Sequence, residues 1–260
     1  MKVYHAASGP SIQKIASKAR EAGEAWPRSF RRENDRPTPH LTQWGGCAII
    51  TPKMTVPDQW NTLEEVARSV NTCTGCRLFQ GRTRGVPGEG PANAKIFFVG
   101  EAPGWHEDQQ GRPFVGPAGR FLEELLELVG LTREQVFIGN LLKSRPPGNR
   151  DPLPDEIDAC RRYLDAQLRI VNPKVVVALG RHSLARLCPG QPIGKIHGTW
   201  RWEGDRIHFA MYHPAAALHQ QSLKKVIQED MLKLHLALEA AEKAEKPEDQ
   251  PGSPQQLSLF

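Results

Sequence analysis

The chain of 260 residues contains 39% hydrophobic and 7% aromatic residues and carries a formal net charge of +5. No apolar run approaches the roughly 18 residues of a membrane span, and the first ten residues lack an apolar signal-peptide stretch. The five cysteines are odd in number and unevenly spaced, unlike a secreted disulfide framework, and the positive charge favours a polyanionic partner. We therefore expect a soluble intracellular protein with no membrane partner, built on one domain of roughly 180–200 residues.

The two ends of the chain differ from its centre. Residues 1–55 mix charge, proline and glycine without a helical or strand period, and residues 1–40 hold eight Lys/Arg against four Asp/Glu. This composition predicts a basic, largely flexible extension, or a start codon placed too early. Residues 240–260 predict a flexible tail that begins with a linker of Ala, Glu, Lys and Pro. The folded domain is placed at residues 56–239.

Between these ends, four short apolar runs alternate with helical patterns. An apolar stripe of helical period follows the first run, and Pro154 opens a helix after the second. Continuous apolar runs are typical of buried parallel strands, so the alternation predicts an α/β fold with helices on both faces of a parallel sheet. The four runs are KIFFVG (95–100), VFIGNLL (136–142), KVVVALG (174–180) and RIHFAMYHP (206–214).

Polar or glycine-rich loops follow all four runs, at the carboxyl ends where such sheets carry their chemistry. After the first run, the loop that opens at Gly100 carries the acids Glu101 and Glu107 and then the ring of Phe114. A ring near carboxylates at a strand end suits the stacking of a planar ligand, whereas the loop alone is equally typical of a tight turn. The four loops are GEAPG, NLLKSRPPGNR, LG and HPAAAL.

A pair of cysteines precedes the first predicted strand. Cys73 and Cys76 form a C-x-x-C motif, which is ambiguous among a zinc site, a redox pair and an iron–sulfur cluster. Cys160, on the apolar face of the helix that Pro154 opens, is a candidate further ligand. A small buried hydrophobic residue is the commoner role for such a cysteine.

Taken together, the composite motifs resemble those of the family 4 uracil-DNA glycosylases from about residue 71 to residue 239. The resemblance implies a three-layer α/β/α sandwich with a central four-stranded parallel sheet. It also implies a monofunctional enzyme of base excision repair, which flips uracil out of DNA and hydrolyses the N-glycosidic bond to leave an abasic site. The motifs that carry the resemblance are GEAPG, QGRPFVGPAGRFL, NLLKSRPPGNRDPLPDEIDAC, VVVALG and HPAAAL.

The resemblance assigns roles in the uracil pocket. Phe114 stands where the family stacks uracil, and Asn140 stands where an amide reads the base. One amide can accept from uracil N3–H and donate to O4, and it rejects the reversed pattern of cytosine. His213 matches the histidine near uracil O2. Glu101 is the first choice, and Glu107 the second, for a carboxylate that stabilises the oxocarbenium-like sugar or positions water.

Further residues are assigned to water and to DNA. Asn149 is a candidate for holding the attacking water. Leu218 is a candidate wedge for the gap that a flipped nucleotide leaves, although a core contact is the alternative. The other substrate-binding candidates, whose basic members are equally typical of a solvated surface, are Gly100, Ala102, Arg145, Arg150, Lys224 and Lys225.

Most members of this family hold a [4Fe–4S] cluster with four cysteines, and this chain departs from that pattern at one of them. Ser144 stands at the third position, 16 residues before Cys160. Ser144 ligates iron through oxygen, or Cys188 or Cys47 takes its place, or the cluster is labile or absent. We expect a bound structural cluster, with the ligand positions Cys73, Cys76, Ser144 and Cys160.

The last five residues resemble the pentapeptide by which bacterial DNA polymerases and repair factors bind the sliding clamp. This likeness implies a cytoplasmic, nucleoid-associated bacterial protein, which we expect to be a monomer. Two rival functions remain: a weakly active or non-catalytic DNA-binding clamp adaptor on a glycosylase fold and, more distantly, a zinc-binding module. The motif consists of Gln256, Leu257, Ser258, Leu259 and Phe260.

Overall fold

The computed structural model describes residues 60–244. The predicted basic extension, Cys47 and the predicted clamp-binding motif lie outside the described residues.

A five-stranded sheet forms the centre of the described region, in the order β2-β1-β3-β5-β4. Its strands are β1 (Ile96–Gly100), β2 (Phe137–Asn140), β3 (Val175–Leu179), β4 (Thr199–Glu203) and β5 (Arg206–Met211). Strands β2, β1, β3 and β5 are mutually parallel and correspond to the four apolar runs. The prediction of a parallel sheet from these runs is therefore confirmed.

The predicted number of four strands is wrong by one, because β4 adds an antiparallel edge to β5. This strand is mostly half-exposed, so it lacks the continuous apolar run by which the buried strands were found. Glu203 pairs with Arg206 across the two intervening residues, of which Gly204 has a φ of +62°. Glycine in a two-residue loop is typical of a β-hairpin, so this turn was the sequence feature that indicated β4.

Helices cover both faces of the sheet, which gives the predicted three layers. Along β1, Phe98 packs into a core shared with α3 (Pro117–Leu128), α7 (Pro214–His219) and α8 (Ser222–Ala244), whereas Phe97 packs on the opposite face under α4 (Pro154–Val171) and α5 (Arg181–Leu187). Successive strand residues point to opposite faces, so a strand buried on both sides is apolar throughout. The helices are α1 (Leu63–Asn71), α2 (Trp105–Gln110), α3 (Pro117–Leu128), α4 (Pro154–Val171), α5 (Arg181–Leu187), α6 (Ile193–Ile196), α7 (Pro214–His219) and α8 (Ser222–Ala244).

The final helix extends past residue 239, where the predicted folded domain ended. It runs to Ala244, buries Ala241 against the core, and forms an ion pair of 2.5 Å between Glu242 and Lys95. Along residues 60–244, no helix combines the length and the apolar character that crossing a membrane requires.

Candidate active site

The carboxyl ends of β1 and β2 bring three predicted pocket residues to one point. Gly100 and Asn140 are paired in register at the ends of the two strands. A Cβ atom on Gly100 would lie 2.7 Å from the ring of Phe114 and closer still to Oδ1 of Asn140. Glycine at position 100 therefore leaves the space in which an amide and an aromatic ring face each other.

Asn140 presents a buried acceptor without a partner. Its side chain is 2% exposed, and Oδ1 has no hydrogen-bond partner within residues 60–244. The backbone carbonyl of Asn140 accepts a hydrogen bond of 2.8 Å from Lys143, whose ammonium also donates to Gln167 at 2.7 Å. A buried unpaired acceptor costs about 1–3 kcal/mol, so this atom is set to receive a donor from a bound molecule.

Phe114 lies opposite this amide in an uncommon backbone conformation. Its φ is +52°, a left-handed value that costs a non-glycine residue on the order of 1–3 kcal/mol. The ring stacks on that of His213 with a centroid separation of 5.4 Å and an interplanar angle of 26°. The pocket thus joins a π-face to two polar side chains, as a planar heterocycle requires.

His213 is a neutral hydrogen-bond donor in this setting. It caps α7, and its Nδ1 atom accepts a hydrogen bond of 3.1 Å from the backbone N–H of Ala215. Burial lowers the pKa of His213 to about 4, so the ring is uncharged at neutral pH. Because Nδ1 is an acceptor, the single ring proton is on Nε2.

Glu101 lies in a small polar group at the same sheet edge. His182 Nε2 lies 3.8 Å from Glu101 and 3.5 Å from Asp151, and Arg181 donates to both Asp151 and the His182 ring. Burial raises the pKa of Glu101, against a lowering influence of His182. The ligand-type atoms of the two acids and the histidine lie within 4.8 Å of one another. Sequence reasoning missed Asp151 and His182, although His182 follows the glycine after the third strand.

Glu107 is occupied by backbone amides. Its Oε1 atom accepts hydrogen bonds of 2.9 Å from Val115 and Gly116, and Oε2 accepts one of 3.1 Å from Gly104. The carboxylate therefore ties the loop after β1 to the segment that carries Phe114.

The remaining DNA-binding candidates differ in their contacts and in their exposure. Asn149 accepts a hydrogen bond of 2.7 Å from Arg145, whereas Arg150 pairs with the buried Glu156 at 2.6 Å. Leu218 on α7 is 47% exposed, so a role in the core does not apply to it.

The other three candidates are divided between surface and interior. Lys225 is largely exposed, and Lys224 lies 3.3 Å from Glu124. Ala102 packs on the apolar cluster of Leu78 and Cys160.

Two of the predicted metal ligands, Cys76 and Cys160, are in contact at α4, and Cys73 packs against a separate cluster that contains Tyr163 of the same helix. A hydrogen bond with the Cys160 thiol lowers the pKa of Cys76 to about 6, and the same contact raises the pKa of Cys160. Cys73 Sγ accepts hydrogen bonds from the Gly75 amide at 3.4 Å and from Arg162 at 3.7 Å.

Ser144 is buried near this group, and its neighbour Lys143 donates a backbone hydrogen bond to Cys160. The Ser144 hydroxyl accepts a hydrogen bond of 3.0 Å from Arg82. Cys188 is buried in a different apolar cluster, against the sheet.

Comparison with known sequences identifies the class of protein to which this fold and pocket belong. Residues 87–234 match the profile of the uracil DNA glycosylase superfamily, so the chain belongs to that superfamily.

Within it, several type-4 enzymes are similar to this chain. A type-4 uracil-DNA glycosylase from Sulfurisphaera tokodaii is 48% identical to this chain over 67% of this chain and 84% of its own length. One from Saccharolobus solfataricus is 46% identical over 68% of this chain and 87% of its own length. A type-4 uracil-DNA glycosylase from Thermotoga maritima is 43% identical over 66% of this chain and 92% of its own. The chain belongs to the type-4 uracil-DNA glycosylase family, and the predicted activity, excision of uracil in DNA repair, is confirmed at that level.

Proposed function

We propose that the chain excises uracil with Asn140, Phe114, His213 and Glu101 as its working groups. The observation that carries this proposal is the buried, unpaired Oδ1 of Asn140, which faces the ring of Phe114 across the space above Gly100. A uracil base stacked on that ring supplies the missing donor from N3–H.

Selectivity follows from the orientation of the Asn140 amide. With Oδ1 accepting from N3–H, Nδ2 donates to O4 of uracil. Cytosine presents an acceptor at N3 and a donor at the exocyclic amine, so both contacts would be lost and their groups left unpaired. Sites that use buried polar groups in this way reject the wrong ligand strongly.

His213 acts on the leaving group. Uracil departs as an anion with charge on O2, and a neutral Nε2–H donor aimed at O2 binds the transition state more tightly than the ground state. The lowered pKa keeps His213 neutral, so its role is to donate a hydrogen bond and not to transfer a proton.

Glu101 acts on the sugar. As the glycosidic bond breaks, the sugar gains positive charge, and a carboxylate stabilises it or orients the attacking water. The positive charge of Arg181 favours the ionised form of Glu101 against the effect of burial. Glu107, whose oxygens accept three backbone amides, supports the loops around the base instead.

Binding of the duplex is proposed to involve exposed residues beside the pocket. Leu218 fills the gap left by the flipped nucleotide, Lys225 and Arg145 contact phosphates, and Asn149 holds the attacking water. Arg150 contributes through its ion pair with Glu156 to the shape of the same loop.

An excision assay tests the activity of this chain. End-labelled DNA with one uracil is incubated with the enzyme, treated with alkali and run on a denaturing gel beside a matched thymine strand. We expect a cleaved product only from the uracil strand, and its loss in N140A. Intact DNA from folded protein that still binds it would favour the rival clamp-adaptor function.

We also propose that the thiols beside α4 hold an iron–sulfur cluster, with the Ser144 hydroxyl near the fourth position. Cys76, with a pKa near 6, contacts Cys160, and Cys73 packs beside Tyr163 of the same helix. These residue types fit such a group because thiolates are its usual ligands. The bound cluster would tie the segment before β1 to α4. Iron and sulfide are measured in protein purified without oxygen: S144C is expected to retain more iron than the wild type, and C160S less. Wild-type protein without iron under these conditions would contradict the proposal.

The tail supports a further proposal, that this chain is a monomer that docks on the bacterial sliding clamp in the cytoplasm. Leu257, Leu259 and Phe260 are the apolar anchors, and Gln256 supplies directed hydrogen bonds. A peptide of residues 250–260 tests docking by its affinity for purified clamp, with a peptide carrying L259A and F260A as control.

A further inference from the structure

Phe114 is fixed by a buried guanidinium. Arg133 donates a hydrogen bond of 2.9 Å from Nη1 to the carbonyl of Phe114, and Nη2 donates to the carbonyl of Pro113. The Arg133 side chain is 8% exposed. A buried cation directed at two consecutive carbonyls is a costly feature, and here it stabilises the turn whose central residue has a left-handed φ.

A helix also packs closely against this turn. A Cβ atom on Gly119 of α3 would overlap the carbonyl group of Phe114, so the helix approaches the turn as closely as a glycine permits. Both α3 and Arg133 therefore hold the Phe114 turn, which gives its ring a defined direction.

The charge of Arg133 is balanced by Glu89. Arg133 Nε donates a hydrogen bond of 2.5 Å to Glu89 Oε1, and a longer contact of 3.3 Å reaches Glu123. Glu89 also accepts two hydrogen bonds from Arg112, which approaches from the solvent side with 56% of its side chain exposed. Although burial opposes ionisation, the hydrogen bonds from Arg112 and Arg133 hold the pKa of Glu89 below its usual range.

Both members of this ion pair are attached to the strand that carries Asn140. The backbone of Glu89 exchanges hydrogen bonds of 2.9 and 2.8 Å with Ile138, two residues before Asn140 on β2. Arg133 begins the 3₁₀ turn Arg133–Gln135 that leads directly into the same strand. A continuous set of contacts thus connects the base-reading amide to the stacking ring.

We propose that Arg133, paired with Glu89, is a positioning residue that fixes the Phe114 ring relative to the Asn140 amide. This inference rests on the proposed roles of Phe114 and Asn140 in binding uracil. Stacking and hydrogen bonding then act on one base in one geometry, because both groups belong to a single rigid unit. Arg133 does not touch the base itself.

Binding of free uracil is the measurement that this role would change. The inhibition constant of uracil for excision describes only the folded, active molecules, so a loss of folded protein does not alter it. In R133M the two carbonyls lose their donors and the turn can relax, and we expect uracil to inhibit about tenfold more weakly. R133K keeps the positive charge but has fewer hydrogen-bond donors, so its uracil inhibition constant should lie between those of the wild type and R133M. Affinity for a duplex with an abasic site should stay within twofold, since it does not use the stacking ring.

Arg112 provides the matched control. R112M removes the exposed partner of Glu89 and no contact to Phe114, so its uracil inhibition constant should stay within twofold of the wild type. If R133M does not fold, R133K and the charge-neutral double variant R133M with E89Q decide the question by the same measurement.

The outcomes separate this inference from the pocket on which it rests. F114A should weaken inhibition by uracil at least as much as R133M does. If F114A weakens it and the Arg133 variants stay within twofold of the wild type, the positioning role is overturned and the pocket stands. If uracil inhibits the wild type and F114A equally, the proposed pocket itself is wrong.

Discussion

At the scale of single residues, the space above Gly100 determines whether a base can enter. The φ of Gly100 is not in the left-handed region, so alanine is allowed by the backbone and only the neighbours oppose it. Those neighbours are the ends of the Asn140 and Phe114 side chains, the groups proposed to hold uracil. They can move aside in the folded protein, but only by leaving their places in the pocket.

We expect G100A to lower kcat/KM for uracil excision by about 100-fold or more, since a small misplacement of positioning groups is costly. The melting temperature should change little. Gly81 is the control, because a Cβ atom there would meet nothing within 4 Å and its φ is −108°. Activity of G100A equal to that of G81A would contradict the assignment of the pocket.

The pH dependence of excision should report Glu101. Because burial raises the pKa of this carboxyl, its charged form is lost as the pH falls through a value above the ordinary range of glutamate. The single-turnover rate should therefore fall on the acid side. His213, with a pKa of about 4, stays neutral above about pH 5 and does not contribute there.

Single-turnover rates between pH 5 and 8 test this assignment. E101Q should be about 100-fold slower or more and should lack the acid limb. E107Q should keep the acid limb, since Glu107 is proposed to support loops. An acid limb that persists in E101Q and vanishes in E107Q would reverse the two roles.

The sequence motifs pointed to the residues of the proposed pocket but not to those that hold them in place. Asn140 ends β2, His213 follows β5, and Phe114 belongs to the connection after β1, so all three lie where topology gathers functional groups. Arg133 and Glu89 stand in no strand-end loop, and their pairing over 44 positions arises only when the chain folds. His182 was missed because a short LG loop was the only signal near it.

At the scale of elements, apolar runs predicted the buried strands, and local turn chemistry would have added the edge strand. The sequence of β4 alternates polar residues with Trp200 and Trp202, and the strand stays mostly half-exposed, so it lacks a continuous apolar run. The hairpin between β4 and β5 instead depends on the positive φ of Gly204. A Cβ atom at Gly204 would meet nothing within 4 Å, which leaves backbone strain as the only penalty for substitution.

We expect G204A to lower the free energy of unfolding by about 1 kcal/mol and G204N to lower it by less, because asparagine tolerates left-handed φ better than alanine. Urea unfolding measures both. Excision should be unaffected, since the hairpin lies at the far edge of the sheet from β1 and β2. Equal stability of G204A and the wild type would mean that the turn relaxes without cost.

At the scale of the whole molecule, the glycosylase fold and the motif proposed to dock on the clamp occupy separate parts of the chain. The fold supplies the pocket within residues 60–244, and 11 residues, 245–255, separate it from the pentapeptide. Docking of the pentapeptide on a clamp that encircles DNA would convert the search for uracil into an intramolecular process with a raised effective concentration. The gain should appear only on DNA that carries a clamp.

Deletion of residues 256–260 should therefore leave excision from a short linear oligonucleotide unchanged. On circular DNA loaded with sliding clamp, the wild type should act about tenfold faster or more than without clamp, and the deletion should show no such gain. The variant with L259A and F260A should behave like the deletion, because it removes the apolar anchors and keeps the chain length. Raising the salt concentration weakens contacts to phosphate, so the advantage of the tethered wild type should widen. Equal stimulation of the wild type and both variants would show that the clamp acts on this enzyme without the terminal motif.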